Sequence, residues 1–148
     1  MESRRVLVVA NKTVLGASLK EVVASMIRRG PATFVVLVPS ALPDGTLVWE
    51  ESAVWQAAEA RAAQAVTALR EMGADATGRV GAHVPYNAVM DLLRDERFDE
   101  IVVSTLPLGL SAWLGVDLPN RIRSASGLPV THVTSDPSEP TPPGTQAE

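Results

Sequence analysis

Residues 101–133 read IVVSTLPLGLSAWLGVDLPNRIRSASGLPVTHV, and this stretch decides the fold. It opens on Ile101-Val102-Val103, a continuous β-branched run. A strand covered on one face alternates apolar and polar residues, whereas a continuous run suits a strand buried on both faces, as in a parallel sheet between helices. A loop bearing proline and glycine follows at 104–111 (STLPLGLS). Leu114, Leu118, Ile122 and Ala125 then recur at helical spacing until Gly127, a residue that ends helices because it takes left-handed backbone angles without a Cβ penalty. At 129–133 (PVTHV) the chain returns to strand character.

The same alternation extends back to the beginning of the chain. Val6 to Ala10 (VLVVA) and Phe34 to Val38 (FVVLV) are further continuous runs, and a weaker strand fits 76–80. Between them, Leu15, Leu19, Val22, Val23 and Met26 mark a first helix that stops at Gly30-Pro31. Val54, Ala58, Ala62, Ala65, Leu69 and Met72 mark a long second helix, ended by Gly73, whose alanine face suits close packing on a sheet. Ala88, Val89, Leu92 and Leu93 mark a third, with Pro85 in its first turn. The predicted order is β-α-β-α-β-α-β-α-β. Right-handed crossovers then place helices on both faces, giving an α/β three-layer sandwich with a doubly wound, five-stranded, mainly parallel sheet.

Composition narrows the function classes. The chain has 148 residues, enough for one core-bearing domain, with 46% hydrophobic and 20% charged residues, which is globular composition. A net charge of −4 does not favour nonspecific nucleic-acid binding, which concentrates Lys and Arg. Cysteine is absent, and the two histidines, His83 and His132, stand far apart with no metal-ligand spacing, so no metal site is expected. No apolar run approaches the roughly 18 residues of a membrane span, and the apolar run after Arg4-Arg5 is too short for a signal peptide; the expected location is the cytoplasm. Residues 1–134 read as the α/β domain. Residues 135–148, SDPSEPTPPGTQAE, lack an apolar anchor and read as a disordered tail. Residues 39–49 are longer than an ordinary βα loop, and Trp49 and Trp55 are expected to anchor that loop and the second helix.

Open α/β sheets bind ligands beyond the carboxyl ends of their strands, where the strand order reverses. Three segments converge there by topology: Ala10-Asn11-Lys12-Thr13, Pro39-Ser40, and 104–111 with Ser104, Thr105, Pro107, Gly109 and Ser111. Each has a plainer reading beside the ligand-binding one. Asn11 and Thr13 suit a turn and a helix cap. Lys12 suits a solvated charge, Pro107 and Gly109 a shaped loop, and the three hydroxyl residues a loop that closes on itself. His83 belongs to the approach to the third helix, His132 to the last strand or a dimer edge, and Trp113 to packing. No nucleophile elbow, Walker sequence or other catalytic constellation occurs, so no catalytic residue is assigned.

The block 101–133, the opening RVLVVANKT, and VGAHVPYNAVMDLL followed by FDEIVVST resemble the universal stress protein family over residues 4 to 134, in the manner of a divergent bacterial subgroup. The resemblance implies a cleft for an adenine nucleoside or nucleotide at the carboxyl edge of the sheet, and a homodimer formed through the last strand. ATP-binding members carry G-x2-G-x9-G-[ST], whose glycines bring backbone N–H groups to the phosphates. Here Ser104 or Val103, then Leu106 or Pro107, then Val116-Asp117 stand at those places, so the phosphate signature is absent. Asp117, just before Leu118-Pro119, is expected to cap the fourth helix with its own carboxylate and to repel a triphosphate. Three function classes follow, in this order: a non-enzymatic regulatory domain that holds a small polar ligand, a structural module that acts through its dimer surface, and last an enzyme acting on nucleotides, for which no acid, base or metal set converges in the sequence.

Overall fold

The computed structural model describes residues 4–10, 17–40, 51–82, 84–105 and 117–134. In chain order the elements are β1 (Arg4–Val9), α1 (Ala17–Arg28), β2 (Ala32–Pro39), α2 (Glu51–Glu71), β3 (Asp75–Gly81), α3 (Pro85–Asp95), β4 (Glu100–Thr105), α4 (Leu118–Ser126) and β5 (Val130–Thr134). The five described strands form one sheet in the order β3-β2-β1-β4-β5, and every pairing is parallel. The doubly wound sandwich expected from the sequence is the observed fold.

Successive residues on a strand point to opposite faces, so each continuous apolar run feeds two cores. Val6, Val8, Phe34, Val36 and Val102 join Leu19, Val23 and Met26 of α1 and Ala58, Ala62, Ala65 and Leu69 of α2. Leu7, Val9, Val35, Leu37, Ile101 and Val103 join Ala88 and Val89 of α3, Phe98, and Leu118 and Ile122 of α4. Alanines let α2 lie close to the sheet: a Cβ on Gly78 of β3 would stand 3.4 Å from the Cβ of Ala62.

The helix stops follow glycine chemistry. Gly73 (φ 91°) and Gly127 (φ 72°) both take left-handed angles, and Gly127 donates its N–H to the Arg123 carbonyl at 2.9 Å. Two expectations are corrected. Ala125 is exposed, because the buried face of α4 is the narrower set Leu118, Pro119 and Ile122. Trp55 is a weaker anchor than expected: it stands 44% exposed at the flank of the buried face that Val54 and Ala58 mark.

The amino edge of the sheet is held by ion pairs. The Arg4 guanidinium meets Glu100 at 2.8 Å, with Arg29 at 3.9 Å from the same carboxylate. Arg5 donates to Glu96 at 2.7 Å and lies over the Phe98 ring, 4.7 Å from its centroid, while Arg79 of β3 reaches Glu96 at 3.6 Å. These contacts tie the segment after α3 to β1 and β3, and Arg4 and Arg5 make theirs at the amino end of β1, opposite the candidate site.

Candidate functional site

The strand order reverses between β1 and β4. β1 is followed by α1 and runs on to β2 at one side, whereas β4 is followed by α4 and β5 at the other; the carboxyl ends of β1 and β4 are thus the switch point at which open α/β sheets bind ligands in a crevice. The crevice floor is set by strand register. Val9 pairs with Val103, which puts Ala10 level with Ser104. Ala10 is fully buried and donates its N–H to the Leu37 carbonyl at 3.1 Å. Ser104 and Thr105 are the buried polar residues of the described core, and they are the last two residues of β4.

Pro39 is the last residue of β2 and is buried opposite Gly81. Ser40 closes this corner, its N–H and its hydroxyl both donating to the Gly81 carbonyl at 3.0 and 2.8 Å. The hydroxyl of Ser40 is therefore engaged within the fold. Asn11, Lys12, Thr13, Pro107, Gly109 and Ser111, together with His83, Trp49 and Trp113, lie outside the described residues.

Asp117 occupies the cap position of α4, but its carboxylate does not cap. Its backbone is left-handed (φ 52°, ψ 49°), and no side-chain bond reaches the first-turn N–H groups. A capping side chain needs extended backbone angles to turn back over the helix start, and the left-handed angles, which Asp tolerates better than most residues, deny it that reach. The carboxylate instead accepts the Asn120 side-chain amide at 3.0 Å, while the Asp117 carbonyl takes the Arg121 N–H at 3.1 Å. The expected capping bond is thus replaced by a side-chain pair. The negative charge remains at the positive end of the helix, but the first-turn N–H groups are not consumed by a side-chain cap.

His132 proves to be part of the same edge. Its Nε2 lies 2.7 Å from the Thr105 hydroxyl oxygen across the β4–β5 ladder. The residue as a whole is exposed, yet partial withdrawal of the ring from water holds its pKa below the ordinary histidine value, an effect that the Asp117 carboxylate opposes. Reading the sequence placed His132 on the last strand but not beside Thr105. The pairing depends on the β5 register, in which His132 stands level with Val103.

An open groove of about 500 Å³ runs along the outer side of α4, lined by Tyr86, Asp117, Asn120, Arg121, Ser124 and Ala125. The Arg121 guanidinium lies over the Tyr86 ring, 4.3 Å from its centroid, and so joins α3 to α4 beside it. Among the described residues there is no group of His, Asp and Glu able to hold a metal ion, and no helix long and apolar enough to cross a membrane.

No protein-family model matches the chain, and no curated protein matches it. Solved structures do. A universal stress protein from Archaeoglobus fulgidus superposes with a TM-score of 0.62 at 17% identity, covering 90% of this chain and 95% of that one. A universal stress protein family protein of Arabidopsis thaliana with AMP bound gives 0.56 at 13% identity, over 90% and 93% of the two chains. A universal stress protein in complex with cAMP gives 0.50 at 20% identity, over 91% and 100%. The chain therefore has the fold of the universal stress proteins.

Proposed function

We propose that this chain is a universal-stress-like, non-enzymatic regulatory domain of the cytoplasm, binding an adenine nucleoside or nucleotide at the carboxyl edge of its sheet. The observation that carries this reading is the reversal of strand order between β1 and β4, which sets Ala10 beside Ser104 and Thr105. Proteins of the same fold hold AMP or cAMP, which favours an adenine nucleotide here. In this reading residues 11–13 and 107–111, which follow β1 and β4 in sequence, contribute to the cleft, as does Pro39 at the end of β2. The missing glycine signature and the charge of Asp117 favour a ligand with one phosphate or none over a triphosphate.

The test is native mass spectrometry of freshly purified protein, followed by calorimetric titration with AMP and adenosine. A retained or titratable adenine compound supports the reading. Absence of binding at millimolar ligand refutes it.

A second reading rests on β5, an edge strand with Thr131, His132 and Thr134 exposed. An unpaired edge offers free backbone groups to a partner strand, and a second copy of this chain would cover them about a two-fold axis. In that reading the domain is a homodimer whose assembly is its function, and the ligand is dispensable.

A further inference from the structure

The pairing of Thr105 with His132 bears on which ligands the crevice accepts. Thr105 is buried at the last position of β4, and its hydroxyl oxygen has the His132 ring as its side-chain partner at 2.7 Å. A hydroxyl has one hydrogen to donate and two lone pairs to accept with. While Nε2 carries no proton, the hydroxyl gives its hydrogen to the ring and turns only lone pairs toward anything else. When the ring is an imidazolium, Nε2 must donate, and the hydroxyl hydrogen is released to point elsewhere.

From this geometry we infer that the Thr105–His132 pair makes the crevice selective for anionic over neutral ligands, His132 acting as a positioning residue that turns the Thr105 hydroxyl. The inference rests on the reading that the crevice binds a nucleotide. The protonated ring favours an anion twice over: Thr105 becomes a donor, and the positive charge offsets the Asp117 carboxylate that otherwise repels a phosphate. The neighbours of the ring leave this balance intact. Thr105 supplies the contact from β4, and its register neighbour Val103 carries no charge. From α4 the charged groups are Asp117, which pulls the ring toward the protonated form, Arg121, whose guanidinium lies over the Tyr86 ring, and Arg123, whose guanidinium is tied to Asn120 and to the Val130 carbonyl. Burial keeps the free protein's His132 mostly neutral at neutral pH, so anion binding is coupled to proton uptake.

The probes are cyclic AMP, whose phosphodiester keeps one negative charge from about pH 8 to about pH 5.5, and adenosine, which is neutral over that range. Affinity for cyclic AMP is expected to rise about tenfold on going to the lower pH, as a neutral contact becomes charge-assisted, while that for adenosine stays flat. His132→Gln, which cannot be charged, removes the pH dependence. Thr105→Val, close in shape, reduces it to the part that the ring's charge alone supplies, because the histidine still titrates. Cyclic AMP binding with no pH dependence, or a full dependence retained in Thr105→Val, overturns the inference and leaves the nucleotide reading standing. Failure of both probes to bind at either pH overturns the nucleotide reading, and this inference with it.

Discussion

Gly81 of β3 and Ala88 of α3 approach so closely that a Cβ on Gly81 would lie 2.7 Å from the Cβ of Ala88 and 3.1 Å from Leu37. The glycine is what lets α3 settle onto the sheet at this corner. Gly81→Ala forces the helix or the strand to shift and is expected to destabilise the domain by about 1–3 kcal/mol, the usual cost of overfilling a packed core. Gly78→Ala is the control, because its new methyl meets Val66 and Ala62 at 3.3 and 3.4 Å and needs only a slight adjustment. Urea denaturation of both variants checks this: a Gly81 variant as stable as the wild type would show the corner to be loosely packed.

Glu96 supplies a pH signature. Its hydrogen bond from Arg5 holds its pKa below the usual carboxylate range; burial opposes this, and the charge of Arg79 adds to the lowering. A carboxylate with a depressed folded-state pKa contributes stability above its unfolded pKa and loses it as pH falls through the folded value. Glu96→Gln should therefore cost no more than about 1 kcal/mol near neutrality, as partly exposed pairs do, and the variant should converge with the wild type in acid. Melting curves from neutrality down to about pH 3, below the ordinary carboxylate value, decide it; a difference that persists unchanged there refutes the assignment.

Asp117→Asn separates charge from backbone. Asn accepts left-handed angles, so the turn into α4 is preserved while the carboxylate charge is removed. Two unit charges 4 Å apart repel by about 4 kcal/mol at an effective dielectric of 20, and even a quarter of that approaches a tenfold change in affinity. ATP binding should strengthen about tenfold in the variant and adenosine binding should not, as read by titration calorimetry. Equal gains for both ligands would place the effect in the fold of the turn rather than in its charge.

The edge of β5 can be probed without damaging the sheet, provided the position is chosen by ladder geometry. Ile101 donates its N–H to the Pro129 carbonyl and stands opposite Val130, so the N–H that returns to the Ile101 carbonyl is that of Thr131. Thr131 faces inward, and Thr131→Pro would break the β4–β5 ladder itself. The outward groups are those of Val130, His132 and Thr134, and Arg123 already bonds the Val130 carbonyl at 3.2 Å. Thr134→Pro should weaken a dimer at least several-fold while the melting temperature changes by less than about 4 °C, roughly 1 kcal/mol for a domain of this size. Sedimentation at micromolar concentration reads both species; a wild type that is monomeric there ends the dimer proposal.

What the sequence disclosed divides by physical cause. The runs VLVVA and FVVLV and the spacing of Leu19, Val23 and Met26 encode burial directly, because the hydrophobic effect acts on each side chain where it stands. Those signals were sufficient for the layers and the element order. Asp117 shows the opposite case. Its place before α4 was legible, but whether its carboxylate caps the helix depends on one left-handed backbone angle that no residue pattern announces. The contact between Thr105 and His132 joins residues 27 positions apart and exists only in one strand register. Trp55 and Ala125 sit at apolar positions of the sequence that tertiary packing leaves uncovered, and periodicity alone could not separate them from their buried neighbours.

The division of helices between the two faces also orders events during synthesis. Of the buried residues in the core formed with α1 and α2, all but Val102 and Val133 have been made once β3 has left the ribosome, whereas Leu7, Val9, Val35 and Leu37 wait for α3 and α4. Until then the nascent chain carries a bare apolar face, and β1 stands as an open edge in the place that β4 will fill. A polypeptide halted after Gly81 would thus be half covered and adhesive, and the last third of the chain acts as an intramolecular chaperone for the first.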